Sequence, residues 1–186
     1  MEFKDVLQKR RAVRSYKGTP IEASMIQSLI EAAIQAPSAR DLQPWLFWRI
    51  LGRERIDDMA KRATASVLQM LAKDASAQAD LKRLSDPMFS MLYHAPALVL
   101  AVARSSEERA DEDCCLAAMS LMLAARDAEL GTCWISLSRP WFNLLSTKQE
   151  LGIPETARVV APIVTGHANE WPELPGRNPA EIHSIC

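Results

Sequence analysis

The segment Ala97–Ala103 is apolar at every position and lies between Pro96 and Arg104. A short apolar run with such boundaries predicts a β-strand that is buried on both faces, with other elements covering both sides of its sheet. Residues 159–166 predict a further buried strand, and the aromatic and β-branched run Trp45–Leu51 predicts another. The chain is therefore expected to enclose a small sheet.

Helices are predicted around this sheet. Apolar residues at helical spacing predict a short helix over residues 3–11 and a longer one over residues 21–36, which ends at Pro37. Residues 111–130 predict an alanine-rich, apolar helix at the centre of the molecule. Residues 53–92 are charged and predict two or more surface helices between two of the strands. These helices are the part of the chain best suited to cover a substrate. The fold class is α+β.

Length and charge narrow the class of protein. A chain of 186 residues with 48% hydrophobic content suits one compact domain over residues 1–186. Its 22 basic and 23 acidic residues give a net charge of −1, so neither nucleic acid nor an anionic membrane is an expected partner. No stretch reaches the ~20 apolar residues of a membrane-spanning helix, and the first residues lack a secretory signal pattern. A cytoplasmic location is expected.

Common cofactor and catalytic motifs do not occur in the sequence. The six glycines form neither a G-x-G-x-x-G turn nor a G-x-x-x-x-G-K phosphate loop, so a dedicated dinucleotide domain is not expected. There is no H-E-x-x-H, no G-x-S-x-G and no C-x-x-C, and the histidines show no dyad or metal spacing. Cys133 has two interpretations, a reactive thiol or a small buried filler. No metal site and no side-chain nucleophile are predicted.

Three arginines occur within five residues near the N-terminus, in the string from residue 9 to residue 16. Arg10, Arg11 and Arg14 could bind a phosphate, because the fork of a guanidinium group matches two phosphate oxygens. They could also form the solvated basic face of a surface helix, which is the commoner role of a charge run. The cluster alone does not separate these alternatives.

Residues 36–45 join a helix end, a polar turn and a strand entry, with two prolines that fix the backbone. Together with the arginine string, they strongly resemble the nitroreductase family, whose members carry R-x-S-x-R-x-F/Y and then P-S-x-x-N-x-Q-P-W at about this separation. The resemblance covers nearly the whole chain and is weakest over residues 53–92. It continues in residues 93–96, in residues 129–135, and in Gly166, Pro172, Pro175, Gly176, Arg177 and Pro179.

This resemblance implies a small mixed sheet surrounded by helices, and a homodimer in which the subunits exchange arms. It also implies FMN at the dimer interface, with each site built from both chains. Arg10 and Arg177 would meet the FMN phosphate, with Arg11 close by. Ala12 belongs to the same motif, and Arg14 would lie near the pyrimidine edge of the flavin.

Two further segments complete the implied cofactor site. One passes its backbone along the flavin ring, where a main-chain N–H can hydrogen-bond the reactive nitrogen; it consists of Trp134, Ile135 and Ser136. The other comes from the second subunit and lines the isoalloxazine or ribityl region with Pro37, Ser38, Ala39, Asp41 and Gln43.

Two residues depart from the family pattern. Ala12 stands where serine is usual, which removes one hydroxyl contact and about 1 kcal/mol of cofactor binding. Asp41 stands where asparagine is usual, and an ionised carboxylate cannot donate to a flavin oxygen as an amide can. Asp41 would then pair with Arg40, make a different contact, or shift the potential and acceptor preference of the flavin.

The resemblance implies that FMN carries the chemistry, so no catalytic side chain is required. NADH or NADPH would lie over the flavin, give up hydride and leave before a flat, electron-poor acceptor such as a nitroaromatic or quinone enters, in a ping-pong cycle. Three other interpretations stay open. The protein could bind flavin without turnover, or act on one specific metabolite as a dehalogenase, enoate reductase or oxidase. It could also be a helical interaction protein with solvated arginines.

Overall fold

The computed structural model describes residues 1–72, 75–105, 107–174 and 176–185. Within them the helices are α1 (Phe3–Lys9), α2 (Ala23–Ala33), α3 (Arg53–Leu71), α4 (Gln78–Leu84), α5 (Glu108–Asp127), α6 (Arg139–Phe142) and α7 (Leu145–Leu151). The strands are β1 (Trp45–Leu51), β2 (Ala97–Ala103), β3 (Gly131–Trp134) and β4 (Arg158–Gly166). The predicted α+β class is confirmed. Every helix in these ranges is too short or too polar to span a bilayer.

The strands form one sheet in the order β1-β2-β4-β3. Each neighbouring pair is antiparallel, which corrects the expectation of a mixed sheet for these strands. The chain between β1 and β2 leaves and returns at the same end of the sheet, where the Gly52 N–H donates to the Pro96 carbonyl at 3.1 Å. The connection between β1 and β2 therefore does not cross over the sheet, as the connection of a parallel pair would have to do. A parallel pairing does occur outside the strands, as a bridge between Ala12 and Thr132.

The central strand β2 is buried on both faces, as its apolar sequence predicts. Side chains alternate along a strand, so Leu98 and Leu100 pack into the core that contains α3, while Val99 and Ala101 pack into the core that contains α5. Alanine on the α5 side leaves room for that helix to lie close to the sheet. Helix α5 thus passes through the centre of the molecule, as expected.

The sequence predicts three of the strands and misses the fourth. The strands over Trp45–Leu51 and Ala97–Ala103 are confirmed, and the one predicted over 159–166 begins one residue earlier. The sequence does not predict strand β3, because its four residues follow directly on a helix end and show no alternation of polar and apolar side chains. The short helices α6 and α7 were also not predicted.

The predicted helices are present with different ends. Segment 53–92 contains α3 and α4, in agreement with the prediction of two or more helices. The helix predicted over 3–11 ends at Lys9, and Arg10 is already extended, with φ −62° and ψ 135°. The residues that follow pair with the sheet, and this tertiary pairing ends the helix early. The helices predicted over 21–36 and 111–130 are α2 and α5.

Candidate functional site

Residues 10–17, which we call the N-terminal arm, lie along the edge of the sheet formed by β3. The Val13 N–H donates to the Thr132 carbonyl at 3.0 Å, and the buried Tyr16 hydroxyl donates to the Val13 carbonyl at 2.6 Å. A Cβ at Gly131 would lie 2.7 Å from the Val13 side chain, so the close approach of arm and strand needs glycine there. The arm is therefore fixed against β3.

The arm, β3 and the helices α3 and α4 surround a cleft of about 430 Å³, which we call the β3 cleft. Two smaller clefts, of about 250 and 180 Å³, adjoin it, because the Arg14 side chain lines all three. The structure thus brings part of the predicted site together. The predicted residues that line the β3 cleft or the smallest cleft are Arg10, Ala12, Arg14, Trp134, Ile135 and Ser136.

The backbone at the end of β3 forms one wall of the β3 cleft. The Ile135 N–H donates to the Pro162 carbonyl at 2.8 Å, so it is not available to a ligand. Since N–H groups alternate in direction along an edge strand, the Trp134 N–H points away from β4. Ser136 begins a 3-10 turn, whose first N–H has no acceptor within the turn. The donors left for a ligand are therefore those of Trp134 and Ser136.

Arg11 is buried behind the arm, with 6% of its surface exposed. Its Nη1 donates to the Gln8 carbonyl at 2.7 Å and also to the Arg10 carbonyl. Its Nε and Nη2 are buried and have no hydrogen-bond partner among the described residues. Burial lowers the pKa of Arg11, and the charges of Arg177, Arg10 and Arg126 lower it further. A buried cation with unused donors is costly, so this position suits a bound anion.

Residues 37–43, which we call the Ala39 loop, precede β1 and are held by their own hydrogen bonds. The Ser38 Oγ accepts the Gln43 N–H at 3.0 Å, and the Gln43 Nε2 donates to the Asp41 Oδ1 at 2.8 Å. Within one chain, Asp41 thus contacts Gln43 and not Arg40, and a shifted flavin potential stays a prediction. Positive φ angles at Arg40, Asp41 and Gln43 show that the loop backbone is strained.

The Ala39 loop and the N-terminal arm, which both carry predicted site residues, lie at opposite ends of α5. The buried Asp113, near its start, contacts the Ala39 loop, and Arg126, in its last turn, lies near Arg11 and the arm. Thirteen residues of helix separate them by about 20 Å. Within one chain, the Ala39 loop and the β3 cleft therefore do not meet.

A sequence model of the nitroreductase family matches residues 7–167. The chain belongs to the nitroreductase family. A protein of Archaeoglobus fulgidus that carries the provisional name NADH dehydrogenase/NAD(P)H nitroreductase is 28% identical over 178 residues, which are 94% of this chain and 92% of that protein. The 5,6-dimethylbenzimidazole synthase of Rhodospirillum rubrum is 29% identical over 181 residues, 91% of this chain and 83% of the synthase.

A solved structure shows the same fold. The nitroreductase of Bacteroides fragilis, crystallised with bound FMN, superposes with a TM-score of 0.84 at 23% identity, over 100% of this chain and 99% of that chain. In the present chain, which belongs to the nitroreductase family, the donors of the N-terminal arm suit the phosphate of such a nucleotide. Arg11 supplies two unused buried nitrogens, and Arg10 and Arg177 lie near it. The residues present could therefore hold FMN.

Several residues of this nitroreductase-family site carried no sequence signal. Arg126 stands in an apolar helix, and only the fold brings it to Arg11. Asp113 lies near other acidic residues at the start of α5, where a carboxylate is common and indicates no particular role. Arg83, on α4, lines the β3 cleft and donates to the Tyr93 hydroxyl at 3.2 Å. Asp113 contacts a residue far away in sequence, and Arg126 and Arg83 reach the site only because the fold brings distant elements together.

Cys133 lines the β3 cleft but is 4% exposed. Burial raises the pKa of its thiol, while the neighbouring Arg14 acts in the opposite direction with a smaller effect. The thiolate is the reactive form of cysteine, and here it is disfavoured. The structure thus favours the buried-filler interpretation over a reactive thiol.

Proposed function

We propose that this chain is an FMN-dependent oxidoreductase that takes hydride from NADH or NADPH and passes it to a small electron-poor acceptor, such as a nitroaromatic or a quinone. The observation that carries the proposal is the buried Arg11, whose Nε and Nη2 have no partner in the described chain. It lies in the arm that borders the open β3 cleft. Bound FMN would supply the hydride-transfer chemistry, and the chain would supply position and charge.

Each group of residues in the site has its own proposed role. Arg10, Arg11 and Arg177 hold the FMN phosphate through charge-assisted hydrogen bonds. Arg14 places a positive charge at the pyrimidine edge, where it favours negative charge on the ring. The backbone N–H of Trp134 or Ser136 donates to a ring nitrogen or oxygen. No side chain has to act as nucleophile or general base.

We further propose that the active protein is a homodimer in which the Ala39 loop of one subunit closes the β3 cleft of the other. Between the two ends of α5, the apolar side chains of Leu116 and Met119 are 47% and 37% exposed. Burying these side chains against a second copy is favourable. If the two-fold axis lies perpendicular to α5, the two copies of the helix run antiparallel, and the start of each copy then lies beside the end of the other.

The donor and the acceptor occupy the same place in turn, which is a ping-pong cycle. The β3 cleft, at about 430 Å³, matches the size of a flavin, and the donor and the acceptor would stack in turn on the open face of that ring. The apolar Val67 and Leu71 on α3 line the cleft together with the polar Arg83 on α4. A flat acceptor with one polar substituent matches this lining.

The test is a visible absorption spectrum of the purified protein after addition of FMN and desalting, followed by anaerobic addition of NADH and then NADPH. The proposal expects a retained flavin band that bleaches with at least one nucleotide. Arg11→Met is expected to lose the band, whereas the control Arg55→Met, at an exposed position on α3, keeps it. Loss of the band in the wild type refutes FMN binding. A band that never bleaches points to a flavin-binding protein without turnover.

A second candidate function is turnover of one specific metabolite by the same flavin chemistry. It is favoured by the match to the 5,6-dimethylbenzimidazole synthase over 91% of the chain, and by Asp41, which replaces an amide that can donate to flavin. Screening reduced protein against nitroaromatics and quinones separates the two. Rapid reoxidation by many such acceptors supports a general reductase, and reoxidation by none supports a specific enzyme.

A further inference from the structure

Arg126, in the last turn of α5, is held in place by an aromatic ring. Its guanidinium carbon lies 3.9 Å from the ring centroid of Trp171. This is the geometry of a cation–π contact, which fixes the plane of the guanidinium group. The Arg126 Nε is nevertheless buried and has no hydrogen-bond partner among the described residues.

The Arg126 guanidinium is one of four arginine groups whose charges interact and which have no carboxylate partner among the described residues. Arg10, Arg126 and Arg177 all act on the charge of Arg11. No carboxylate among the described residues lies within 4.0 Å of a charged nitrogen in these four side chains. Asp127, next in sequence to Arg126, pairs with the N-terminal amine. Like charges repel one another, so four arginines without a carboxylate partner are stabilised by an anion that carries more than one charge.

We propose that Arg126 is a phosphate-binding residue, which donates from Nε to the same phosphomonoester that the Nε and Nη2 of Arg11 bind, while Trp171 orients it. This inference rests on the proposed function and adds a residue to its cofactor site. A phosphomonoester has three terminal oxygens and two negative charges near neutral pH. Three buried nitrogens on two arginines, each with N–H groups that have no partner among the described residues, match that acceptor set.

Two ligands of the proposed reaction carry such a group, the FMN phosphate and the 2′-phosphate of NADPH. The burial of Arg11 favours FMN, because a resident cofactor neutralises the buried charge permanently and a transient donor does not. The phosphate held by Arg126 is therefore assigned to FMN, and the experiment distinguishes the two sources.

The experiment compares the dissociation constants of FMN and riboflavin, which differ only in the phosphate. Wild type, Arg126→Met, Arg126→Lys and the control Arg55→Met are titrated by flavin fluorescence, and their folding is checked by circular dichroism. Arg126→Met is expected to weaken FMN binding about tenfold or more, as for a lost charge-assisted hydrogen bond, and to leave riboflavin binding unchanged. Arg126→Lys keeps the charge and loses the planar fork, so its loss is smaller. Trp171→Ala weakens FMN in the same selective way.

Each other outcome contradicts the assignment of Arg126 to the FMN phosphate and indicates a different role. Equal weakening of FMN and riboflavin makes Arg126 a structural residue. Unchanged binding of both places it outside the phosphate site. A change confined to the preference for NADPH over NADH assigns the residue to the other phosphate. If wild-type protein binds neither flavin, the proposed function itself fails, which is distinct from failure of the Arg126 assignment.

Discussion

The carboxylate of Asp113 accepts the backbone N–H of Ala39 with both oxygens, at 3.1 and 3.3 Å. Asp113 is buried, with 6% of its surface exposed, and lies in the first half of α5. The Ala39 loop that it contacts holds three residues with positive φ, so its conformation needs support from outside. Through this contact the central helix fixes the loop that, in the proposed dimer, closes the cofactor cleft of the partner.

Substituting Asp113 by asparagine is expected to release the Ala39 loop. The amide keeps one acceptor oxygen and loses the charge, which weakens a partly buried hydrogen bond by about 1–2 kcal/mol. Amide hydrogen exchange at Ala39 should accelerate, and the free energy of unfolding in urea should fall by that amount. Glu112→Gln, at the exposed neighbouring position, is the matched control. Unchanged exchange at Ala39 in Asp113→Asn contradicts the anchoring role.

A structural feature can be predicted from the sequence when the residues that determine it lie close together along the chain. Strand β2 is predictable because every residue in it is apolar. Strand β3 is not, because its four residues show no alternation of polar and apolar side chains and form a strand only by pairing with β4, far along the chain. The family pattern predicts Arg10 and Arg11 as anion ligands, whereas Arg126 acts on Arg11 only through the packing of α5. The anchoring role of Asp113 is hidden for the same reason, since its partner lies 74 residues away.

Substituting Gly131 by alanine is expected to displace the N-terminal arm. The new Cβ would lie 2.7 Å from the Val13 side chain, which is closer than two carbon atoms can approach. The overpacking should cost about 1–3 kcal/mol of folding free energy and move Arg14 from the cleft. A thermal melt and an FMN titration measure the two effects. Gly18→Ala serves as the control, because its added Cβ makes an ordinary 3.5 Å contact with Arg53. Equal FMN affinity in both variants would argue against the arm as a cofactor ligand.

Substituting Asp41 by asparagine is expected to raise the reduction potential of the bound flavin. The Asp41 carboxylate is exposed and accepts a hydrogen bond from Gln43, and in the proposed dimer it faces the partner's flavin. Removing its negative charge favours the more negative, reduced flavin. A change of about 1 kcal/mol corresponds to about 20 mV for a two-electron couple. Dye-linked potentiometry measures the shift. A lower potential in Asp41→Asn would show that the carboxylate is not beside the flavin.

The ion pair between Arg62 and Glu150 joins α3 to α7 and gives a pH-dependent part of the stability. The Arg62 Nη1 and Nη2 donate to the carboxylate at 2.7 and 2.9 Å, and these hydrogen bonds lower the pKa of Glu150 from its ordinary value of 4.5. Because folding favours the ionised form, the stabilisation is complete above the pKa of the unfolded chain. It is lost as the pH falls through the lower pKa of the folded state.

Both side chains of this pair are partly exposed, so the contribution should stay below about 1 kcal/mol. A double-mutant cycle with Arg62→Met and Glu150→Gln, measured by urea unfolding from pH 7 down to pH 3, isolates it. The coupling energy is expected to be constant above pH 5 and to fall below the ordinary pKa of the carboxyl group. The Arg62 guanidinium also lies 5.3 Å from the Trp141 ring centroid, so Arg62→Met carries an additional loss that the cycle removes. A coupling energy near zero at pH 7 would show that the pair does not contribute to stability, and a coupling energy that does not change with pH would show that its contribution is not ionic.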